Sequence, residues 1–225
     1  MAQSRYTAAM TNPSATADDT RLLVLRALLP ARDPDRRAAD LIAACAHVLA
    51  TAGARGATVR AICDRAGVSP GLLRHYFSGL GALIAATYVH VAQGVTRALA
   101  DAMEAAGTDP QARLIAYVTA SFRPPIAAPE LLATWAAFWS LVRSDPAIAS
   151  LHTEVYAGYR DALQKLLMAA GVSPADAPQA AVAITALVDG LWLELSMETS
   201  AFTADDANII ARRWLASWLP AQIAT

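Results

Sequence analysis

The chain has 225 residues, enough for one or two domains with buried cores. Hydrophobic residues make up 56% of it, many of them alanine, and alternating β-branched or aromatic runs are scarce, so an all-α fold of about nine helices is expected and a strand-built phosphate loop is excluded. The net charge of −1 hides an asymmetry: residues 1–80 carry ten Arg against six Asp, and residues 81–225 carry eight cations against thirteen acids, which aims only the front of the chain at a polyanion.

Residues 1–33, rich in Thr, Ser, Asn, Pro and Asp up to Thr20, read as a flexible tail, with a possible docking turn in Leu22–Leu29. That run is split by Arg26 and is too short to cross a bilayer, and no signal peptide is evident, so a cytoplasmic protein without a membrane partner is expected. Cys45 and Cys63 form no CxxC pair and read as buried free thiols in a reducing compartment.

Ordered structure is expected from Asp33-Pro34, a cap followed by a first-turn proline. The first helix runs to about Thr51 on an inner stripe of Leu41, Cys45, Val48 and Leu49, and Gly53 ends it. Thr58 caps a second helix with the stripe Val59, Ile62, Cys63 and Ala66. Ala66-Gly67-Val68 is a tight turn, Ser69 caps a third, short helix with Pro70 in its first turn, and Tyr76-Phe77-Ser78-Gly79 closes it. A long helix over roughly Gly81 to Ala106 follows. Further helices open at Asp109-Pro110, at Pro129 or Glu130, at Asp145-Pro146, and after Ser173-Pro174. Thr203 to Asp206 is a capping-box variant that opens the last helix, which reaches Leu219. The apolar run Ala180–Met197 carries Asp189 and Glu194 and is expected to be a fully buried helix rather than a membrane span.

The strongest signal is Thr58 to Phe77, TVRAICDRAGVSPGLLRHYF: helix, sharp turn at Gly67, short helix. A helix-turn-helix needs this layout, because a left-handed residue in the turn sets the two helices at a steep angle and lets the second enter a major groove. Val68, Leu73 and Phe77 are placed to pack on Val59 and Ile62. The remaining residues suit DNA. Arg74 can pair with a guanine edge or clamp a phosphate, and Ser69, Pro70, Gly71, His75 and Tyr76 offer short donors, close backbone approach and hydroxyl reach. Leu72 suits a thymine methyl or nothing. Thr58 at a helix start suits a phosphate, with Arg60 and Arg65 neutralising the backbone. A plain αα-hairpin with a solvated Arg face is the competing reading.

These residues carry a resemblance to the TetR (tetracycline-repressor) family. Thr58, Ile62, Ala66, Gly67, Val68, Ser69, Gly71, Leu73, Tyr76 and Phe77 stand where that family's T-x-x-x-I-A-x-x-A-G-V-S-x-G-x-L-Y-x-Y-F-like block has its own. The resemblance implies that positions from Ser69 to Tyr76 contact DNA. Two departures matter: Arg74 replaces the usual Tyr after the Leu, and Leu80 stands where a phosphate-touching Lys is usual, so either weaker DNA binding or a shift of load to Arg74, Arg36 and Arg37 is expected. Further on, Thr134-Trp135-Ala-Ala-Phe138-Trp139 and Leu187 to Leu193 resemble the TWxxFW and DGLW segments of the choline-sensing BetI-like branch. The resemblance implies an effector cavity under the fourth helix and a homodimer formed through the last two long helices. The expected organisation is therefore a tail to residue 33, a DNA-binding domain over 34–80, and an effector-binding and dimerisation domain over 81–225.

Trp135 and Trp139 are i, i+4 neighbours, on a face with Phe138, and Asp189 and Trp192 are i, i+3 neighbours. Should the two faces meet, indoles would surround a carboxylate, an arrangement suited to a cationic, amine-like effector, with Tyr117, Tyr156 and Tyr159 as walls; apolar effectors fit the same walls, and an ordinary aromatic core is the plainer alternative. His47, His75, His90 and His152 are scattered, no metal-spaced pair exists and no Gly-x-Ser-x-Gly occurs, so no metal, cofactor or catalytic residue is expected. The expected function is a ligand-released repressor on a pseudo-palindromic double-stranded DNA operator. Its rivals are a DNA-binding regulator controlled by a protein partner, and a helical carrier or enzyme with an incidental hairpin.

Overall fold

The computed structural model describes residues 34–197 and 202–219. The tail 1–33, the Leu22–Leu29 turn and the cap at Asp33 lie outside the described residues. Among the described residues there are nine α-helices, one short 3-10 turn and no strand: α1 Pro34–Gly56, α2 Val59–Ala66, α3 Pro70–Tyr76, α4 Leu80–Ala105, α5 Pro110–Thr119, the turn Ala120–Phe122, α6 Pro129–Val142, α7 Pro146–Ala169, α8 Ala177–Ser196 and α9 Ala204–Ala216. The helices group into two compact units that divide inside α4, one up to His90 and one from Val91.

In the first unit, α1 buries Leu41, Cys45, Val48 and Leu49, the stripe read from periodicity. The helix does not stop at Gly53 but resumes to Gly56 across a kink, at which Gly53 holds φ 65° and ψ −176°. That backbone suits glycine, which explains the break; the Ala-Arg-Gly that follows has no feature to prevent another turn. The first part of α4 adds the buried Leu83, Ile84 and Tyr88. Cys45 packs against the Thr87 hydroxyl, and burial pushes its thiol up to about 11, so it is a neutral core group.

In the second unit the Asp-Pro openings work as expected. Asp109 Oδ2 accepts from Ala112 N at 2.8 Å, and Asp145 Oδ1 accepts from the amides of Ala147 and Ile148 at 2.9 and 3.3 Å. Thr203 and Asp206 form the full capping box at the start of α9. Leu114, Val118, Phe122, Phe138, Ile148, Leu163 and Ile184 form the core, and α8 packs on α6, α7 and α9.

One expectation is corrected here. α8 is not covered on every face. Ala180, Ala181, Ile184, Thr185, Val188, Leu191 and Trp192 are buried, but Val182, Ala186, Gly190, Leu193 and Met197 are exposed. Three neighbouring helices cover only about half of a cylinder, so an apolar helix of this length keeps one bare face in a single chain. It is also the one described helix long and apolar enough to cross a membrane.

Candidate nucleic-acid interface and effector site

The turn between α2 and α3 is built as the residues demand. Thr58 Oγ1 accepts from Ala61 N at 3.2 Å, and Ser69 Oγ accepts from Leu72 N at 3.3 Å. Gly67 sits at φ 64°, ψ 36°, and the amides of Gly67 and Val68 close on the carbonyls of Asp64 and Cys63. Ile62, Cys63 and Leu73 are fully buried and lock α2 to α3; each large apolar side chain so buried contributes roughly 1.5–3 kcal/mol. Val59, Val68 and Phe77 pack only partly buried.

The outer surface of this hairpin holds the residues expected to face DNA. Thr58, Arg60, Ser69, Pro70, Gly71, Arg74 and His75 are exposed, and Leu72 and Tyr76 are half-buried. The His75 and Tyr76 rings meet edge to face at 5.0 Å. Arg60 Nε lies 3.7 Å from Asp64 Oδ2, with both side chains largely in solvent; such a pair is worth little and releases the guanidinium readily. Arg36 and Arg37 stand exposed near the start of α1. Arg74 carries the cationic reach of α3, since no other Arg or Lys lies on that helix.

The aromatic residues of the second unit divide into two clusters. The first is a relay across three helices. Trp139 Nε1–H on α6 donates to Tyr156 Oη on α7 at 3.1 Å, and Tyr156 O–H donates to Asp189 Oδ1 on α8 at 3.1 Å. The His152 ring lies 4.0 Å from that of Tyr156, and the Arg160 guanidinium sits 5.8 Å from the Tyr156 ring centre. His152, Tyr156 and Arg160 are spaced i, i+4, i+8, which puts them on one face of α7. Together Trp139, His152, Tyr156, Asp189, Gly190 and Leu193 line an open cavity of about 350 Å³. Burial pushes the Asp189 carboxyl up to about 6, against the pull of the Tyr156 hydroxyl and of Arg160. Burial and the neighbouring Arg160 charge hold His152 below its usual value. At neutral pH the site thus holds an ionised carboxylate beside a neutral imidazole, an indole and a phenol.

The second cluster is core. Trp135 and Phe138 meet edge to face at 5.8 Å, and Trp135 and Trp192 lie 6.3 Å apart. All three are buried, and Trp192 Nε1–H donates to the Ser121 carbonyl at 2.8 Å rather than turning to a carboxylate. Tyr117 and Tyr159 stack at 5.6 Å. The four residues read as one cage thus separate: Trp139 and Asp189 share the cavity, while Trp135 and Trp192 lie buried in the core. The 100° step of a helix accounts for the split, because positions 135 and 139 differ by 40° around the axis, enough to turn one indole into the core and the other to the cavity. His152 and Arg160 are additions to the expected site, and Gly190 and Leu193, read only as part of the Leu187 to Leu193 segment, prove to line the cavity. The i, i+4 spacing of His152 to Tyr156, which places both on one helix face, is the signal in the sequence for the first of these. Among the described residues no group of His, Cys, Asp and Glu is placed to hold a metal ion.

Comparison with known proteins bears on both units. Residues 41–87 match the bacterial regulatory proteins of the tetR family, and residues 110–220 match the C-terminal domain of BetI-type transcriptional repressors. The HTH-type transcriptional regulator BetI of Burkholderia thailandensis is 33% identical over 180 residues, spanning 80% of this chain and 91% of the relative. The chain belongs to the TetR family of transcriptional regulators, with a BetI-type C-terminal domain. This TetR-family regulator also superposes on a transcriptional regulator from Pseudomonas aeruginosa PAO1, with a TM-score of 0.74 at 38% identity over 83% of this chain and 91% of that one. A Saccharomonospora viridis transcriptional regulator solved in complex with choline shares the fold, with a TM-score of 0.71 at 16% identity over 82% of this chain and 98% of that one. A regulator and not an enzyme is the class these matches establish, and the all-helical architecture read from sequence agrees with it.

Proposed function

We propose that this TetR-family regulator is a homodimeric repressor that binds a pseudo-palindromic operator through α3 and leaves it when a small organic cation occupies the Asp189 cavity. The observation that carries the effector reading is the half-buried carboxylate of Asp189, tied to Tyr156 and flanked by Trp139 and His152 in one cavity. Ring faces attract a cation and the carboxylate neutralises it. The volume suits an amine of the size of choline, the ligand named for the S. viridis structure. Arg160 already draws on Asp189, so the incoming cation competes with a resident one and gains where its methyl groups use the rings.

On the DNA side, Arg74 makes the specific or phosphate contact of α3, Ser69 to Tyr76 line the groove, and Arg36, Arg37, Thr58 and Arg60 hold the backbone. The two α3 helices would sit about 34 Å apart, one turn of duplex. The exposed apolar residues Val182, Leu193, Met197, Ile209 and Ile210 on α8 and α9 support pairing through these helices. An effector lowers operator affinity only by preferring one arrangement of the dimer. The relay through Trp139, Tyr156 and Asp189 joins three helices and supplies an element that a ligand can rearrange.

The test is fluorescence anisotropy on a duplex from the region upstream of the chain's own gene, with and without choline chloride. Binding that falls with salt and with choline supports the reading. Arg74→Ala should weaken that complex by roughly 10- to 100-fold while the dimer persists. Undiminished operator affinity in the variant removes Arg74 from the interface, and indifference to choline in the wild type removes this cation as the effector.

A further inference from the structure

We propose that Arg160 is a built-in competitor of the effector: it holds the Tyr156 ring and opposes the Asp189 charge, and so sets the effector concentration at which the regulator responds. This rests on the reading of the Asp189 cavity as the effector site.

The partner of Arg160 is unusual for a basic residue. Arg60 and Lys165 each meet an acid one turn away, at 3.7 and 2.7 Å. Arg113 donates to the Gly107 carbonyl, and Arg212 donates to Asn208 Oδ1. Lys165 has Asp161 four residues before it, whereas Arg160, on the same helix, has Tyr156 at that position. Its guanidinium carbon lies 5.8 Å from the centre of that ring. Among the described residues no carboxylate oxygen comes within 4.0 Å of Arg160, and its Nε–H is buried without an acceptor. A buried donor left in that state weakens a fold, so stability does not account for its place.

His152, Tyr156 and Arg160 stand on three successive turns of α7, about 6 Å apart along the axis. His152 flanks Tyr156 from the turn before, with the rings 4.0 Å apart, and Arg160 flanks it from the turn after. The phenol ring that would attract an effector's methyl groups thus already serves a resident cation. Asp189 is opposed in the same way. Arg160 pulls its carboxyl down against burial, and the same charge disfavours a proton on His152. Around Asp189 stand Trp139 from α6 and His152, Tyr156, Tyr159 and Arg160 from α7, with Tyr117 of α5 stacked on Tyr159. The charges of α9 are not among the groups that act on it. Of these neighbours only Arg160 carries a fixed charge, so near neutral pH carboxylate and guanidinium offset each other. Arg160 does not line the cavity; it lowers the affinity of the site without filling it. An organic cation gains only the excess of its own contacts over those Arg160 already makes.

The test is calorimetric titration of choline chloride into the full chain and into Arg160→Met at pH 8, where the Asp189 carboxyl is ionised in both. Arg160→Met should bind choline about fivefold more tightly or better, through the freed ring and the unopposed carboxylate. Arg160→Lys keeps the charge and should stay within about twofold of the wild type. Without Arg160 the Asp189 carboxyl takes up its proton at higher pH, so the loss of choline affinity in acid should set in about half a pH unit higher or more. Less choline should then release the operator duplex. A side chain that only packs would weaken binding when replaced and leave the acid limb in place. Should Arg160→Met fail to fold by circular dichroism, Arg160→Gln is judged by the same two readouts. A wild type that binds choline as tightly as the variant or more tightly, or an acid limb that does not move, overturns the role of Arg160 and leaves the cavity reading standing. Absence of choline binding in both proteins overturns the two together.

Discussion

Replacing Asp189 with Asn keeps an oxygen that accepts from Tyr156 Oη and removes a charge that titrates. The Asp189 carboxyl lies at about 6 against an ordinary 3.8. The folded state therefore holds this proton more tightly than the unfolded chain does. Its favourable contribution is complete below about pH 4 and is lost as the pH climbs through 6. Across the whole window the loss is about 3 kcal/mol, and between pH 5 and 8 it is about 1–2 kcal/mol. Asn has no such dependence, so Asp189→Asn should become progressively more stable relative to the wild type over that range. For a chain of this size the difference in Tm should widen by roughly 2–8 °C. Differential scanning calorimetry of both proteins at fixed concentration from pH 5 to 8 checks it. A gap that stays constant, or one that narrows as pH rises, would refute the assignment of a half-buried carboxylate raised by desolvation. The same titration governs the ligand: wild-type affinity for choline should fall below pH 6 by up to about tenfold per unit, and Asp189→Asn should bind weakly at every pH.

The two aromatic clusters should respond differently. Trp135→Ala is expected to cost roughly 3–5 kcal/mol of stability, because Trp135 packs between Phe138 and Trp192 in the core. Trp139→Phe should cost less than about 1 kcal/mol yet weaken choline binding, and urea unfolding with calorimetric titration separates the two outcomes. Gly67→Ala meets no atom within 4 Å of its new Cβ but forces φ 64° on alanine. It should lower stability by about 1–2 kcal/mol through backbone strain alone, and a cost near zero by chemical denaturation would contradict the left-handed turn.

The helices themselves were legible because their signals are local. Thr58, Ser69, Asp109, Asp145 and Thr203 accept from amides two or three residues ahead, and Gly67 needs only its own backbone to turn. Such features depend on nearest neighbours in the chain, and a sequence states those outright. The kink at Gly53 was half legible: the glycine marks the break, but whether helix resumes beyond it depends on packing. Which aromatic side chains converge is a question of another kind. Positions 135, 139, 156, 189 and 192 lie on three helices, and no local rule says which faces meet. Tertiary packing sent the Trp192 indole to the Ser121 carbonyl and left Asp189 to Tyr156 and Trp139. It also decided that α8 keeps a bare apolar face, since the number of helices that reach a given side is a property of the assembled bundle. Residue order thus determined the elements, their caps and the short helix after the Gly67 turn, while long-range packing alone decided where a carboxylate would be half removed from water and so become sensitive to charge.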